Sequence, residues 1–351
     1  MASGIVPADR HPAGSRDIMD EYRFFECFIS NHKPQPSSSI LLYLSSMASQ
    51  GSGDFTIVII ILLLIIGIVV YSYLNRRRVA NKQKELMKAL RASPKFIKDA
   101  PALVHGPAAA PDCILPTTGE HVAFYGMFVI SRESEISGTH SGTRIGVDGI
   151  TVPASGNKIT DVKGFRFFES SGDFTVMQGG SPYFVRFSSI MAYFAEGAAM
   201  VSFAGDMMKQ AGLSEQAWND FMNFQVGENA LKTLCGFEAP IVTQHAKSHG
   251  GGFAVHKTTD HTSVSITEVR SRIDSRIHYL MAGHNIPQGI LDLIAKRGIT
   301  LEEKEEVIVV ETVIPLNKEV FAFGTFDGGQ NIAFADSSVQ LLVSYQDPAL
   351  E

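Results

Sequence analysis

The sequence predicts an α+β chain: a single N-terminal transmembrane helix followed by a β-rich cytoplasmic domain with an inserted helical segment. Three observations predict it. Phe55 to Leu74 read FTIVIIILLLIIGIVVYSYL, twenty positions without a charge. From His121 onward, aromatic and β-branched residues alternate with polar ones, the period of a half-buried strand. Between Ser214 and Gly236 that period gives way to one suited to a helix.

Residues 1–54 hold scattered prolines and a serine run at Ser37–Ser39, and read as a disordered tail. No positively charged segment adjoins an apolar one there, so no cleavable signal peptide is expected. Met47 opens MASQGSGDFTIV, a compact start for a signal anchor, and is a candidate initiation site. Residues 55–74 follow as the span. At about 1.5 Å per residue, twenty helical residues cover roughly 30 Å, the hydrocarbon thickness of a bilayer. Phe55 and Leu74 bound the run, and Arg76, Arg77 and Arg78 follow at once. Nine Lys/Arg stand against two acids between Arg76 and Asp99. Positive charge stays on the cytoplasmic side, so everything after Leu74 is expected there.

Residues 75–105 read as a basic juxtamembrane helix and linker. Leu86, Met87 and Leu90 share one face of Val79–Ala92, with basic residues around them. That pattern favours a helix lying on the leaflet over a coiled-coil stalk. Pro94 and Pro101 end it, and Gly106 to Pro111 reads as a small-residue linker.

Residues 106–346 form the expected domain, with 347–351 as a tail. His121–Ile136 reads as one long strand, and Gly138–Gly156 as a hairpin or loop. Phe165–Val176 reads strand, Ser-Gly turn, strand. Phe184–Phe187 and Ala198–Phe203 add strand material. Gly205–Gln210 is helical, and Ser214 caps a helix running to about Gly236. Val264–Arg270 is a strand, and Pro287 opens a short helix stopped by Gly298. Glu306–Thr312, Lys318–Phe326 and Val339–Ser344 complete the strands.

The net charge of −6 hides a basic collar after the span, so the remaining domain is strongly acidic. Such a surface repels phosphate backbones, which argues against nucleic acid as a partner. The expected partners are the lipid bilayer and a membrane protein or a second copy. The three cysteines Cys27, Cys113 and Cys235 form no C-x-x-C, which excludes a disulfide framework and a Cys-rich zinc module.

The densest polar cluster is His245, His249, His256 and His261. Histidines four apart on a helix can share a zinc ion, and these four are the candidate ligands. Gly250, Gly251 and Gly252 interrupt any helix there, so a solvated His/Gly/Thr loop is the favoured reading. No H-E-x-x-H, G-x-S-x-G or phosphate-loop motif occurs, and no catalytic residue or cofactor other than that zinc is assigned.

GPAAAPDCILPTTGEHVAFYGMFVISRE resembles the opening of the GIDE-type domain, also called Beside-A-Membrane. FRFFESSGDFTV is similar to that domain's next strand and turn. IPQGILDLIAKRGI followed by EVIVVETVIPLNKEVFAFGTF is similar to its short helix and two closing strands. On this alignment Glu311, Pro315 and Gly324 occupy the family's characteristic positions, and Gly324 reads as a strand end needing φ freedom. Well-known members are the mitochondrial ubiquitin ligase activators of NF-κB, which add a RING. No RING ligand set occurs in these 351 residues. The resemblance therefore implies a docking, scaffold or sensing module, with a RING-less component of a ubiquitin-ligase-like system, or a metal enzyme at the histidines, as the alternatives.

Overall fold

Small residues at 100–109 let one strand close a barrel. In the computed structural model, residues 54–110, 112–140, 144–147, 150–153, 158–199, 209, 212–250, 256–334 and 341–348 are described. In chain order their elements are helix α1 (Asp54–Ala92), β1 (Ala100–Ala109), β2 (Val122–Ser131), β3 (Glu133–His140), β4 (Arg144–Val147), β5 (Ile150–Pro153), β6 (Lys158–Lys163), β7 (Arg166–Ser170), β8 (Phe174–Gln178), β9 (Ser181–Arg186), α2 (Phe187–Ala199), α3 (Glu215–Cys235), β10 (Ile241–Gly250), β11 (His256–Ile266), β12 (Asp274–Met281), α4 (Gln288–Lys296), β13 (Glu306–Pro315), β14 (Glu319–Phe326), β15 (Asn331–Ala333) and β16 (Leu342–Ser344). The chain divides into two compact units, residues 1–78 and 79–351, and α1 contributes to both.

In the larger unit β1, β8, β9, β15 and β14 are hydrogen-bonded in that order, and β14 pairs back onto β1. The ring is closed, which removes its edges. Period two sorts the wall. Ala102, Val104 and Ala108 of β1 pack in the main core with Val176, Val185 and Ala322. Leu103 and Phe323 face outward and are covered by Met87 and Leu90 of α1.

Beside the barrel lies a four-stranded sheet, β12-β13-β2-β7. Its central strand β13 is buried from Val307 to Ile314. Ile308, Val310 and Ile314 face the main core, where Phe224 and Leu231 of α3 meet them. Val307, Val309 and Val313 face the second core, where Ile290 and Ile294 of α4 pack. Ser214 caps α3 by accepting from the Ala217 amide at 3.1 Å. Gly236 closes it in the left-handed conformation, φ 67°.

A second four-stranded sheet, β10-β11-β3-β6, is called the arm. It grows from the central sheet at a chain bend. The His121–Ile136 strand of the sequence reading divides at Arg132, with β2 in the central sheet and β3 in the arm. The Ser131 hydroxyl holds the bend by donating to the Glu133 carbonyl at 2.7 Å. Gly164 makes the matching turn between β6 and β7 at φ +88°, where a Cβ would fall 2.8 Å from the Glu133 carbonyl oxygen.

Several expectations are corrected. The α+β class gives way to a mostly β chain built on a five-stranded barrel. The membrane-crossing reading of Phe55–Leu74 is not sustained: among the described residues, no helix is long and apolar enough to cross a membrane. The run is also not a separate element, because α1 carries it through Arg76, Arg77 and Arg78 to Ala92 without a break. The side chains of Phe55 and Arg76 lie outside the described residues, while Arg77 and Arg78 are exposed. The transmembrane, single-pass and signal-anchor assignments fall with that span.

The Leu86–Met87–Leu90 face, read as a leaflet surface, is spent against the barrel. The Gly106–Pro111 linker holds the end of β1, and Ala198–Phe203 begins inside α2. The strand expected at Val264–Arg270 ends at Ile266. The tail of residues 1–53, the Met47 start and the Gly205–Met208 part of the short helix lie outside the described residues.

Candidate functional site

The arm is the part of this fold that its cores do not explain. Ile241 to Ser248 of β10 are all exposed. Strand β10 pairs with β11 on one side, and among the described residues no strand pairs with its other side. Ten residues is long for an edge, since strands usually run about five or six. Proteins normally shorten, bulge or cover such edges, because a row of unpaired N–H and C=O groups is a template for another strand.

Hydrogen-bond parity shows which groups are unpaired. The Val264 amide donates to the Arg132 carbonyl at 2.8 Å. Even-numbered residues of β11 therefore turn their amides toward β3, and odd-numbered ones toward β10. Ile266 fits this phase. Its amide donates to the Tyr279 hydroxyl at 3.2 Å, and that hydroxyl donates back to its carbonyl at 2.5 Å. In the β10–β11 register, Val242 lies opposite Ser265 and Gln244 opposite Ser263. Even-numbered residues of β10 thus face β11. The free edge presents the N–H and C=O groups of Ile241, Thr243, His245 and Lys247.

The histidine cluster is corrected by the same register. His245 and His261 lie on paired strands rather than in a loop. His245 is opposite Thr262 while His261 is opposite Ala246, so the two imidazoles occupy opposite faces. His245 Nδ1 is 3.3 Å from the Thr262 hydroxyl, and His261 Nδ1 is 3.5 Å from Glu135. The side chains of His249 and His256 lie outside the described residues. Among the described residues, no group of three or more His, Cys, Asp or Glu is placed to hold a metal.

The three residues carried by the resemblance have structural surroundings. Glu311 is fully buried in the middle of β13. Its Oε2 accepts from the Thr117 hydroxyl at 2.5 Å, and its Oε1 lies 3.0 Å from His278 Nε2. Thr117 donates to the carboxylate and not to the imidazole, so this is no nucleophile–base pair. It is an internal polar clasp joining the 116–119 turn to β12 and β13. Pro315 sits where the register of β13 against β2 shifts, and its carbonyl accepts from the Lys318 amide at 3.3 Å. Gly324 does not have positive φ. A Cβ there would fall 2.7 Å from Leu341 Cδ1 and 2.8 Å from Ile332 Cγ2, so close packing and not φ freedom demands glycine.

The two cysteines among the described residues, Cys113 and Cys235, offer no reactive centre. Burial pushes the Cys235 thiol up to about 11, against smaller opposing contributions from Ser271, the Phe237 backbone and Arg272. Burial likewise raises Cys113. Thiolates are the reactive form, so both are sluggish. Burial first, then the Glu169 and Cys113 charges, pushes the Tyr125 hydroxyl to about 12. These groups stay protonated in the fold when the unfolded chain has begun to ionise. Their stabilisation is therefore intact below pH 9 and is lost as pH rises from 9 toward 11 for Cys235 and from 10 toward 12 for Tyr125. Denaturant titrations should show stability falling by about 1.4 kcal/mol per unit from the Cys235 thiol across its window. Cys235→Ala should flatten that part of the profile.

A small concavity lies at the start of β10. It is lined by Phe237, Ala239, Ile241 and Ile266, among others, and offers about 10 Å³. That is room for roughly one water or one methyl, not for a cofactor. Compared with protein-family models, curated proteins and solved structures, the chain finds no match.

The sequence reading missed the edge. The available signal was a pair of β-compatible runs flanking Gly250–Gly252, which marks a hairpin. The density of histidine drew attention to ligand chemistry instead.

Proposed function

We propose that the chain is a protein-docking module, a scaffold that captures an extended segment of a partner along the free edge of β10. The observation that carries this reading is the ten-residue exposed strand with its outward row of backbone groups. Strand addition draws affinity from main-chain hydrogen bonds, which suits an edge whose neighbouring recess holds only about 10 Å³. The barrel and the two cores beside it serve as a rigid mount.

Amide hydrogen exchange tests the proposal. The probe is a nine-residue peptide of alternating threonine and valine. At nine-tenths occupancy, exchange of the Thr243, His245 and Lys247 amides should slow about tenfold, because only the free fraction exchanges. Thr243→Pro removes an outward donor that the arm itself does not use, so the fold should survive and binding should fall. Gln244→Pro removes an inward donor and should instead unpair β10 from β11. Unchanged exchange at saturating peptide overturns the docking reading.

A further inference from the structure

The edge of β10 is not uniform along its length, and its gradient describes the partner. At the start, Ile241 and Val242 are exposed by 38% and 50%, beside the small apolar recess. Toward the other end stand His245 and Lys247, and no acid occurs from Ile241 to Gly250. Ile241, His245 and Lys247 alternate onto one face, the face that Ile266 of β11 shares by pairing with Ile241. Asp260 lies opposite Lys247 on the β11 side. A strand added at the free edge meets the lysine first and Asp260 only one strand beyond.

A second copy of the chain fits this gradient poorly. Two antiparallel β10 edges must pair odd residues with odd residues, because those carry the outward groups. The register centred on Gln244 sets Ile241 against Lys247 twice. The register centred on His245 sets Ile241 against position 249, and from the register centred on Ala246 onward Ile241 passes the end of the partner's strand. The edge therefore calls for a segment with the opposite gradient.

We infer that, if β10 is the docking edge proposed above, its occupant is an antiparallel extended segment of another protein with a carboxylate opposite Lys247 and a β-branched aliphatic residue six positions later opposite Ile241. The aliphatic side chain packs on Ile241, whose own side chain borders the recess with Phe237, Ala239 and Ile266. The carboxylate meets the Lys247 ammonium, with the His245 ring two positions away on the same face. The backbone between them pairs with the outward groups of Thr243 and His245. Cross-strand pairs of this kind are the unit by which sheets discriminate sequences.

The test uses the full chain and three fluorescent nine-residue polythreonine peptides, read by anisotropy. The first has glutamate at position 2 and valine at position 8. The second has lysine at position 2, and the third has aspartate at position 8. The first should bind about fivefold tighter than either of the others, the size expected of one favourable cross-strand pair replaced by an unfavourable one. Lys247→Glu should invert the order of the first two peptides while leaving the third weak. Sedimentation of the free protein supplies the remaining arm. Self-association with protected Thr243 and His245 amides would make a second copy the occupant and overturn this inference. If all three peptides protect the edge equally, the partner chemistry fails and the docking reading stands. If none protects it, both fail.

Discussion

Replacing Glu311 with alanine is expected to lower the unfolding free energy by about 3–5 kcal/mol, the usual cost of removing one member of a buried polar pair. The carboxylate sits at the centre of β13 with no exposure, between the Thr117 hydroxyl and His278. Alanine removes the acceptor of the Thr117 hydroxyl and the carboxylate beside His278, and leaves a hole among Met127, Val309 and Val313. Glu311→Leu separates these effects. Leucine fills the hole with the side chain its neighbours already use, and replacing a buried polar group by an apolar one of similar volume is often neutral. It should recover most of the loss and stop within about 2 kcal/mol of the native protein, the remainder being the Thr117 hydroxyl left without its acceptor. Urea midpoints measure both variants. An alanine variant as stable as the parent would mean that the carboxylate does not hold the 116–119 turn to the sheet.

Gly106→Ala is expected to be as damaging, by about 3 kcal/mol or more, since overpacking that no side chain can relieve lies at the top of its usual range. The new Cβ would stand 1.9 Å from the Met177 carbonyl oxygen. That oxygen is backbone in β8, at the corner where β1 leaves β14 and turns onto β8. Relief requires the two strands to part, which opens the barrel. Gly324→Ala is the internal comparison. Two of its neighbours are side-chain carbons of Leu341 and Ile332, and its backbone neighbour, the Ala333 carbonyl oxygen, would stand at 3.0 Å rather than 1.9 Å, so a loss nearer 1–2 kcal/mol is expected. Thermal unfolding of the pair gives the contrast, and equal midpoints would sink the backbone-clash argument.

These glycines show why part of the fold was hidden in the sequence. GPAAAP reads as a linker because small residues and prolines usually mark one. Here Ala102, Gly106 and Ala108 are small because a narrow barrel leaves no room for more. Closure is a tertiary property that no local period announces. The Glu306–Thr312 alternation was legible because burial on both faces of β13 selects β-branched residues at every position. The Ser214–Gly236 helix was legible because both caps are chemical signals with local geometry. Strand His121–Ile136 was read without its bend at Arg132, where the Ser131 side chain and not a turn residue redirects the chain. At the candidate site, Glu311 was singled out by likeness alone. Its partners Thr117 and His278 lie 194 and 33 positions away, beyond the reach of any spacing rule. The β10 edge escaped because its polar, histidine-rich residues beside Gly250 to Gly252 read as a loop, whereas the structure pairs them as strands.

The arm also has a history within each folding event. Its strands come from three distant stretches, 133–140, 158–163 and 241–266. The seam between β3 and β11 joins Ser137 to Thr259, partners 122 positions apart. Closing so long a loop gains little until the central sheet has brought Ser131 and Val307 into register, because the entropy of closure precedes the contacts that offset it. The seam that fastens β11 to β3 is thus costlier to close than the ladder between β10 and β11, whose partners are near in sequence. The arm joins two kinds of contact, a local pair of strands and a long-range attachment, and the attachment depends on the central sheet.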